Sequence, residues 1–138
     1  MKAILVDAGP LIAFFNADDA HHDWATTQFR RLSRPLLTCE PVLTEAAHHV
    51  RKSGGDPTLL LDWLGGGVLA IGLDLEAEAP AVAALMRRYA DQPMDLADAC
   101  LVRLAELVED SVVFTVDRDF LVYRRQGRER MALLAPFA

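Results

Sequence analysis

Two short apolar runs, residues 3–6 (AILV) and 111–116 (SVVFTV), each stop at an aspartate, Asp7 in the first case and Asp117 in the second. Runs of this length and composition, bounded by turn residues, read as buried strands. Such strands belong in a mostly parallel sheet with helices covering both faces. In sheets of that kind ligands bind beyond the carboxyl ends of the strands, so both acids stand on the functional side of the fold. Taken alone, Asp7 admits two readings. It binds a metal, or it caps a helix that starts near Pro10, since Asp is favoured at the N-cap and Pro in the first turn.

Between these runs the chain alternates helix and strand. Residues 10–15 read as a short helix, 16–19 as a turn, and 21–32 as a longer helix in which Trp24, Ala25, Gln28, Phe29 and Leu32 recur at helical spacing. Residues 35–38 supply a second strand. Pro41 opens a helix to about residue 53, with Val42, Leu43, Ala46, Ala47 and Val50 on one face. Glu45 lies just beyond that face, on the flank carrying His49, and so reaches a cleft beside the core. Asp56-Pro57 starts a further helix that ends at Gly65-Gly66-Gly67. Those glycines lead into a strand, residues 68–73, and lack the Lys-Ser/Thr of a phosphate loop. The next helix starts between Leu75 and Ala79, because Pro80 is tolerated only in a first turn, and Asp91-Gln92-Pro93 breaks it. Asp95 then caps a helix to about residue 108 that is apolar nearly all round. Asp98 falls at its third position, partly desolvated and near the positive end of the helix dipole. Residues 131–134 form the last strand.

At 138 residues the chain is expected to be one domain over 1–138, burying roughly two-thirds of the surface its unfolded form exposes. With 52% hydrophobic and 25% charged residues and no low-complexity tract, disorder is excluded. No apolar run is long enough to span a bilayer, and Lys2 alone precedes an apolar run that Asp7 cuts short, so the expected address is cytoplasmic. Cys39 and Cys100 have no CxxC neighbour and read as buried free thiols. The net charge of −6 argues against broad nonspecific binding to nucleic acid. A local basic rim remains open through three clusters: Arg30, Arg31 and Arg34; Arg87 and Arg88; and Arg124, Arg125, Arg128 and Arg130. Each is a phosphate contact or a solvated face.

Asp7, Glu45, Asp98 and Asp117 each fall at a strand end or helix edge that a doubly wound fold can turn toward one side. Packing them together without a counter-charge is costly, and a divalent cation resolves the conflict. All-oxygen ligation suits Mg2+ or Mn2+ over Zn2+. The segments VDAGPLIAFFN, Glu45 in its helix, MDLADA at 94–99 and TVDRDF at 115–120 together resemble the four acidic motifs of PIN-domain ribonucleases, in particular the small toxins of the VapC type. The resemblance covers essentially the whole chain. It implies a PIN-like three-layer α/β/α sandwich and a metal-dependent endoribonuclease, usually dimeric and inhibited by a cognate antitoxin. It carries Asp7, Glu45, Asp98 and Asp117 over as the catalytic, metal-binding quartet, with Asp119 as an additional acid and Asp95 as a ligand or only a cap. Thr115 matches a hydroxyl position that supports such sites. In the implied mechanism one metal activates a water, and a second, at roughly 4 Å, stabilises the leaving oxygen. The arginine clusters would hold RNA phosphates.

His21, His22, His48 and His49 read mainly as surface or hydrogen-bonding residues, and Trp24 and Trp63 as core or dimer packing. A phosphatase of the haloacid dehalogenase type needs a second Asp where Gly9 stands, and a receiver domain needs a late lysine that is missing after Lys52. The remaining alternative is a noncatalytic PIN-like module that binds RNA or protein.

Overall fold

A computed structural model of the chain describes residues 2–92 and 94–138. Met1, and Pro93 at the expected helix break, lie outside the described residues. The sheet contains β1 (Ala3–Val6), β2 (Leu36–Thr38), β3 (Leu69–Ile71), β4 (Ser111–Phe114) and β7 (Leu133–Leu134), in the order β3-β2-β1-β4-β7. Every pair in it is parallel. The connections are helical: α1 (Ala8–Phe15), α2 (His22–Arg31), α3 (Glu40–Lys52), α4 (Thr58–Gly65), α5 (Leu75–Arg88) and α6 (Leu96–Leu107). Helices on both faces make a three-layer α/β/α sandwich, as the alternation of apolar strands and amphipathic helices requires.

The strands are shorter than their apolar runs. Residues 68–73 pair only over Leu69–Ile71 because the partner, β2, is three residues long. Just beyond the ladder Gly72 lets α6 approach, since a Cβ there would sit 3.2 Å from Leu104 and 3.3 Å from Leu37. Residues 131–134 likewise reduce to Leu133–Leu134, and 111–116 to Ser111–Phe114, where the ladder with β1 also stops. A second small sheet escaped the pattern reading: β5 (Arg124–Arg125) and β6 (Glu129–Arg130) form an antiparallel hairpin. Its turn carries Gln126 and Gly127 at φ 55 and 76, the twist that tight hairpins favour.

The core lies between the sheet and its helices. Eight of the twelve residues of α6 are buried, consistent with its all-round apolarity. Opposite, Phe14, Phe15, Phe29 and Trp63 pack ring on ring at 4.8 to 5.4 Å, and Trp24 stands edge-on to Phe114. Both tryptophans thus pack against the core. Cys39 and Cys100 are buried free thiols, as expected. Among the described residues no helix is long and apolar enough to cross a membrane.

In α5 the start falls within the expected range, but the premise that Pro80 sits in the first turn fails. The helix starts at Leu75, with Asp74 as its N-cap accepting from the Ala77 N–H, so Pro80 lies inside it, beyond the first turn. Pro80 is exposed, and so is Glu76, whose carbonyl loses its helical donor to the proline. Pro80→Ala restores that donor at the expense of a freer unfolded chain, and should raise stability by about 2 kcal/mol, read as a higher urea midpoint with unchanged slope.

Candidate active site

The register of β1 against β4 builds the first half of the site. Ala3 pairs with Ser111 and Val6 with Phe114, so the next residues, Asp7 and Thr115, emerge side by side at the carboxyl edge. Here the chain reverses its direction of travel across the sheet, with β2 and β3 on one side of β1 and β4 on the other. Asp7 is only 5% exposed. The Thr115 hydroxyl donates to its Oδ2 at 2.7 Å, and the Ala8 N–H donates to its Oδ1 at 2.8 Å. The capping reading of Asp7 holds, for α1 begins at Ala8 and not near Pro10, and the same side chain also lines the cleft. Gly9 permits this approach, because a Cβ there would collide with the side chain of Val116.

Two further segments close the cleft. Asp95 caps α6 by accepting from the Asp98 N–H at 2.9 Å. Asp98 in turn is buried, and its Oδ2 accepts from the Tyr123 hydroxyl at 2.8 Å. Beyond β4, the Asp117 N–H donates to Thr115 Oγ1 at 3.0 Å, and Asp117 Oδ1 accepts from the Asp119 N–H at 2.8 Å, capping the short 3-10 turn Arg118–Leu121. Glu45 comes in from α3. Asp7, Glu45, Asp95, Asp98 and Asp117 line one cleft of about 160 Å³, with Ile12 and Val116 among its apolar walls. Asp98, Asp117 and Asp119 can each offer an oxygen with all three atoms within 4.8 Å of one another. All six acids singled out in the sequence thus converge.

Burial and mutual repulsion govern their electrostatics. Burial, opposed by the hydrogen bonds from Thr115 and Ala8 and reinforced by Glu45 and Asp117, pushes the Asp7 carboxyl up from 3.8 to about 7. Burial likewise pushes Asp98 up to about 8, against the Tyr123 hydrogen bond and with Asp95, Asp7 and Asp117 adding repulsion. Glu45 is raised by burial and by Asp95, with His49 pulling the other way, and Asp119 by burial and Asp117. Among the described residues none of these acids forms an ion pair with Lys or Arg. A cleft whose side-chain donors are carboxylate oxygens is chemically fitted to a hard divalent ion.

The comparison with known families bears on the same residues. A family model described as PIN domain matches residues 4–126. The chain belongs to the PIN domain family. No curated protein matches it. PIN domains are generally nucleases, typically dependent on divalent metals and linked to RNA, and the Asp trio of this PIN domain is able to hold such an ion.

Sequence reasoning missed Tyr123 and Tyr89. Tyr123 is fully buried, holds Asp98, and packs edge-on against Tyr89 and Phe120, while the Tyr89 hydroxyl accepts from the Arg124 N–H. Tyr123 sits in the run LVYRR, whose exposed neighbours give no periodic signal. The arginine clusters divide. Arg124 Nη1 donates to the carbonyls of Leu121, Val122 and Tyr123, and Arg125 Nη1 to that of Glu109, so these two brace the hairpin. The Arg88 guanidinium lies against Gly127, which joins the second and third clusters on one surface. His22 ties α2 to the Ala13 carbonyl at 2.7 Å.

Two outcomes follow from this geometry. Because Asp7 and Asp98 titrate higher in the folded protein than at 3.8, the folded state holds protons that the unfolded chain has released. Their stabilising contribution is therefore present at acid pH and is lost as pH rises through about 7 to 8. In chelator the melting temperature should fall between about pH 5 and 8, and Mn2+ should flatten that decline by binding the deprotonated form. A chelated protein whose melting temperature climbs over this range would contradict the assignment. Separately, Tyr123→Phe keeps the ring and removes the donor to Asp98, and should weaken Mn2+ binding about tenfold by calorimetry while leaving the circular dichroism spectrum unchanged.

Proposed function

We propose that the protein is a metal-dependent endoribonuclease that hydrolyses RNA phosphodiester bonds at the cleft between β1, α3, α6 and β4. One observation carries this reading. Five carboxylates line a small cleft at the sheet's switch point, and Asp119 joins two of them within 4.8 Å, with no basic partner among the described residues. Asp7, Glu45, Asp98 and Asp117 would hold Mg2+ or Mn2+, with Asp119 and Asp95 as further ligands. A cation bound there supplies Lewis-acid activation of a phosphate and of an attacking water.

The chain's own residues do the orienting. Thr115 Oγ1 and the Ala8 N–H fix the plane of the Asp7 carboxylate, leaving each oxygen a second lone pair toward the cleft. Tyr123 donates only to Oδ2 of Asp98, and the Asp119 N–H only to Oδ1 of Asp117, so the other oxygen of each stays free for a ligand. Ile12 and Val116, both half-buried, give the cleft its apolar walls.

The finer reading is a cytoplasmic toxin of a type II toxin-antitoxin pair, a homodimer acting as one domain over 1–138. Its inhibitor would present an Arg or Lys to the acids in place of the cation, with an apolar segment against the half-buried Phe14, Phe15 and Trp24. The alternative is a noncatalytic module that binds RNA or protein through the same surface. Incubating the purified protein with RNA in Mn2+ separates the two. Cleavage should be abolished by chelator and reduced about a hundredfold or more in Asp7→Asn, Asp98→Asn and Asp117→Asn, with Asp95→Asn milder because Asn still caps a helix. RNA bound but uncut in every divalent metal would favour the binding module.

A further inference from the structure

Beside the acid cleft lies a larger groove, about 510 Å³ against about 160 Å³, that the proposed chemistry does not use. The two are continuous, because Glu45 and Asp95 line both. Pro41, Leu75, Leu96 and Ala97 make its walls mostly apolar. Leu96 is 41% exposed at the start of a helix that buries most of its other residues. Open apolar surface directly beside a cluster of acids is a poor place for a phosphate, whose charge the carboxylates oppose. A nucleobase has the matching chemistry, with a flat apolar face for Leu96 and Pro41 and a polar edge for the carboxylates.

We infer that this groove, running between the N-termini of α3 and α6, is the subsite for the base next to the bond that is cut, and that Glu40 selects a base bearing an exocyclic amino group there. The inference rests on the endoribonuclease reading of the adjoining cleft. Glu40 is the groove carboxylate outside the cation set, exposed at the first turn of α3. A carboxylate oxygen accepts hydrogen bonds, so it pairs with the exocyclic amino group of adenine, cytosine or guanine, which uracil lacks, its one N3–H being flanked by two carbonyls that repel a carboxylate. Thr44 adds to that polarity. Its hydroxyl proton is committed to the Glu40 carbonyl at 3.1 Å, so its oxygen offers the groove an acceptor. Among the described residues Glu40 makes no ion pair with a basic side chain, so its charge is available to a ligand.

The test is a digest of random-sequence RNA in Mn2+ by the wild type, Glu40→Gln and Leu96→Ser, with the new ends sequenced. The wild type should disfavour uracil about tenfold at one position beside the cut. Glu40→Gln, whose amide both donates and accepts, should lose that bias while keeping the wild-type shift of melting temperature with Mn2+, since Glu40 holds no cation. Leu96→Ser should raise KM for all four bases alike. A flat base distribution in the wild type, or a bias that survives in Glu40→Gln, overturns the subsite. Should the wild type cut nothing, binding of A, C, G and U hexamers is measured by fluorescence anisotropy in place of cleavage. Discrimination against the U hexamer that Glu40→Gln abolishes then upholds the subsite and overturns only the nuclease reading. Equal binding of all four overturns the subsite itself.

Discussion

The structure depends on holding together carboxylates that repel one another. Asp7 and Asp98 are each taken out of water and set near other acids, and both are pushed far above the ordinary carboxyl range. Nothing in that arrangement favours folding by itself. What offsets it is local: the Thr115 hydroxyl and Ala8 N–H on Asp7, and the Tyr123 hydroxyl on Asp98. A buried acid given fewer hydrogen bonds than it can accept is a site of deliberately incomplete solvation, the condition a cation relieves.

The acids were legible in the sequence because each terminates an element that announces itself. A short apolar run that stops at Asp7 or Asp117 identifies both a strand and the edge where ligands bind. Asp95 and Asp98 were legible through capping chemistry, which placed them one helical turn apart at the start of the most apolar helix, as the Asp98 N–H to Asp95 bond bears out geometrically. Glu45 followed from its place at the margin of an amphipathic face. What stayed hidden was non-local. Tyr123 lies 25 residues from Asp98 in a run of arginines, and its burial is set by Tyr89 and Phe120 packing around it, a fact of assembly that no local window contains.

The same limit explains the errors. Apolar runs overstate strand length because a ladder stops where its shorter partner stops, as β2 and β7 show. The start of α5 at Leu75 lies within the expected range, but Pro80 stands beyond the first turn, because Pro80 and Glu76 are both exposed and a solvent-facing proline costs less than the rule assumes. Counting arginines left the basic rim open, and the hydrogen bonds divide the third cluster. Arg124 and Arg125 donate to the carbonyls of Leu121, Val122, Tyr123 and Glu109, outside the hairpin strands, and charge tallies do not distinguish a guanidinium facing solvent from one tying a hairpin to its neighbours.

Asp7, Asp95 and Asp117 all serve two roles, each capping the element that follows it while facing the cleft. In each case a backbone N–H at the start of a helix or 3-10 turn satisfies one carboxylate oxygen and orients the other, so the elements that build the sheet's cover also set the geometry of the acids. The positive ends of α1 and α6 then lie where the negative charge is densest, which lowers the cost of gathering it. The two roles differ in what they require, however. A cap needs an acceptor oxygen, which Asn also provides, whereas a cation needs the charge. Capping and the proposed metal binding at these positions are therefore chemically separable even though one side chain would supply both.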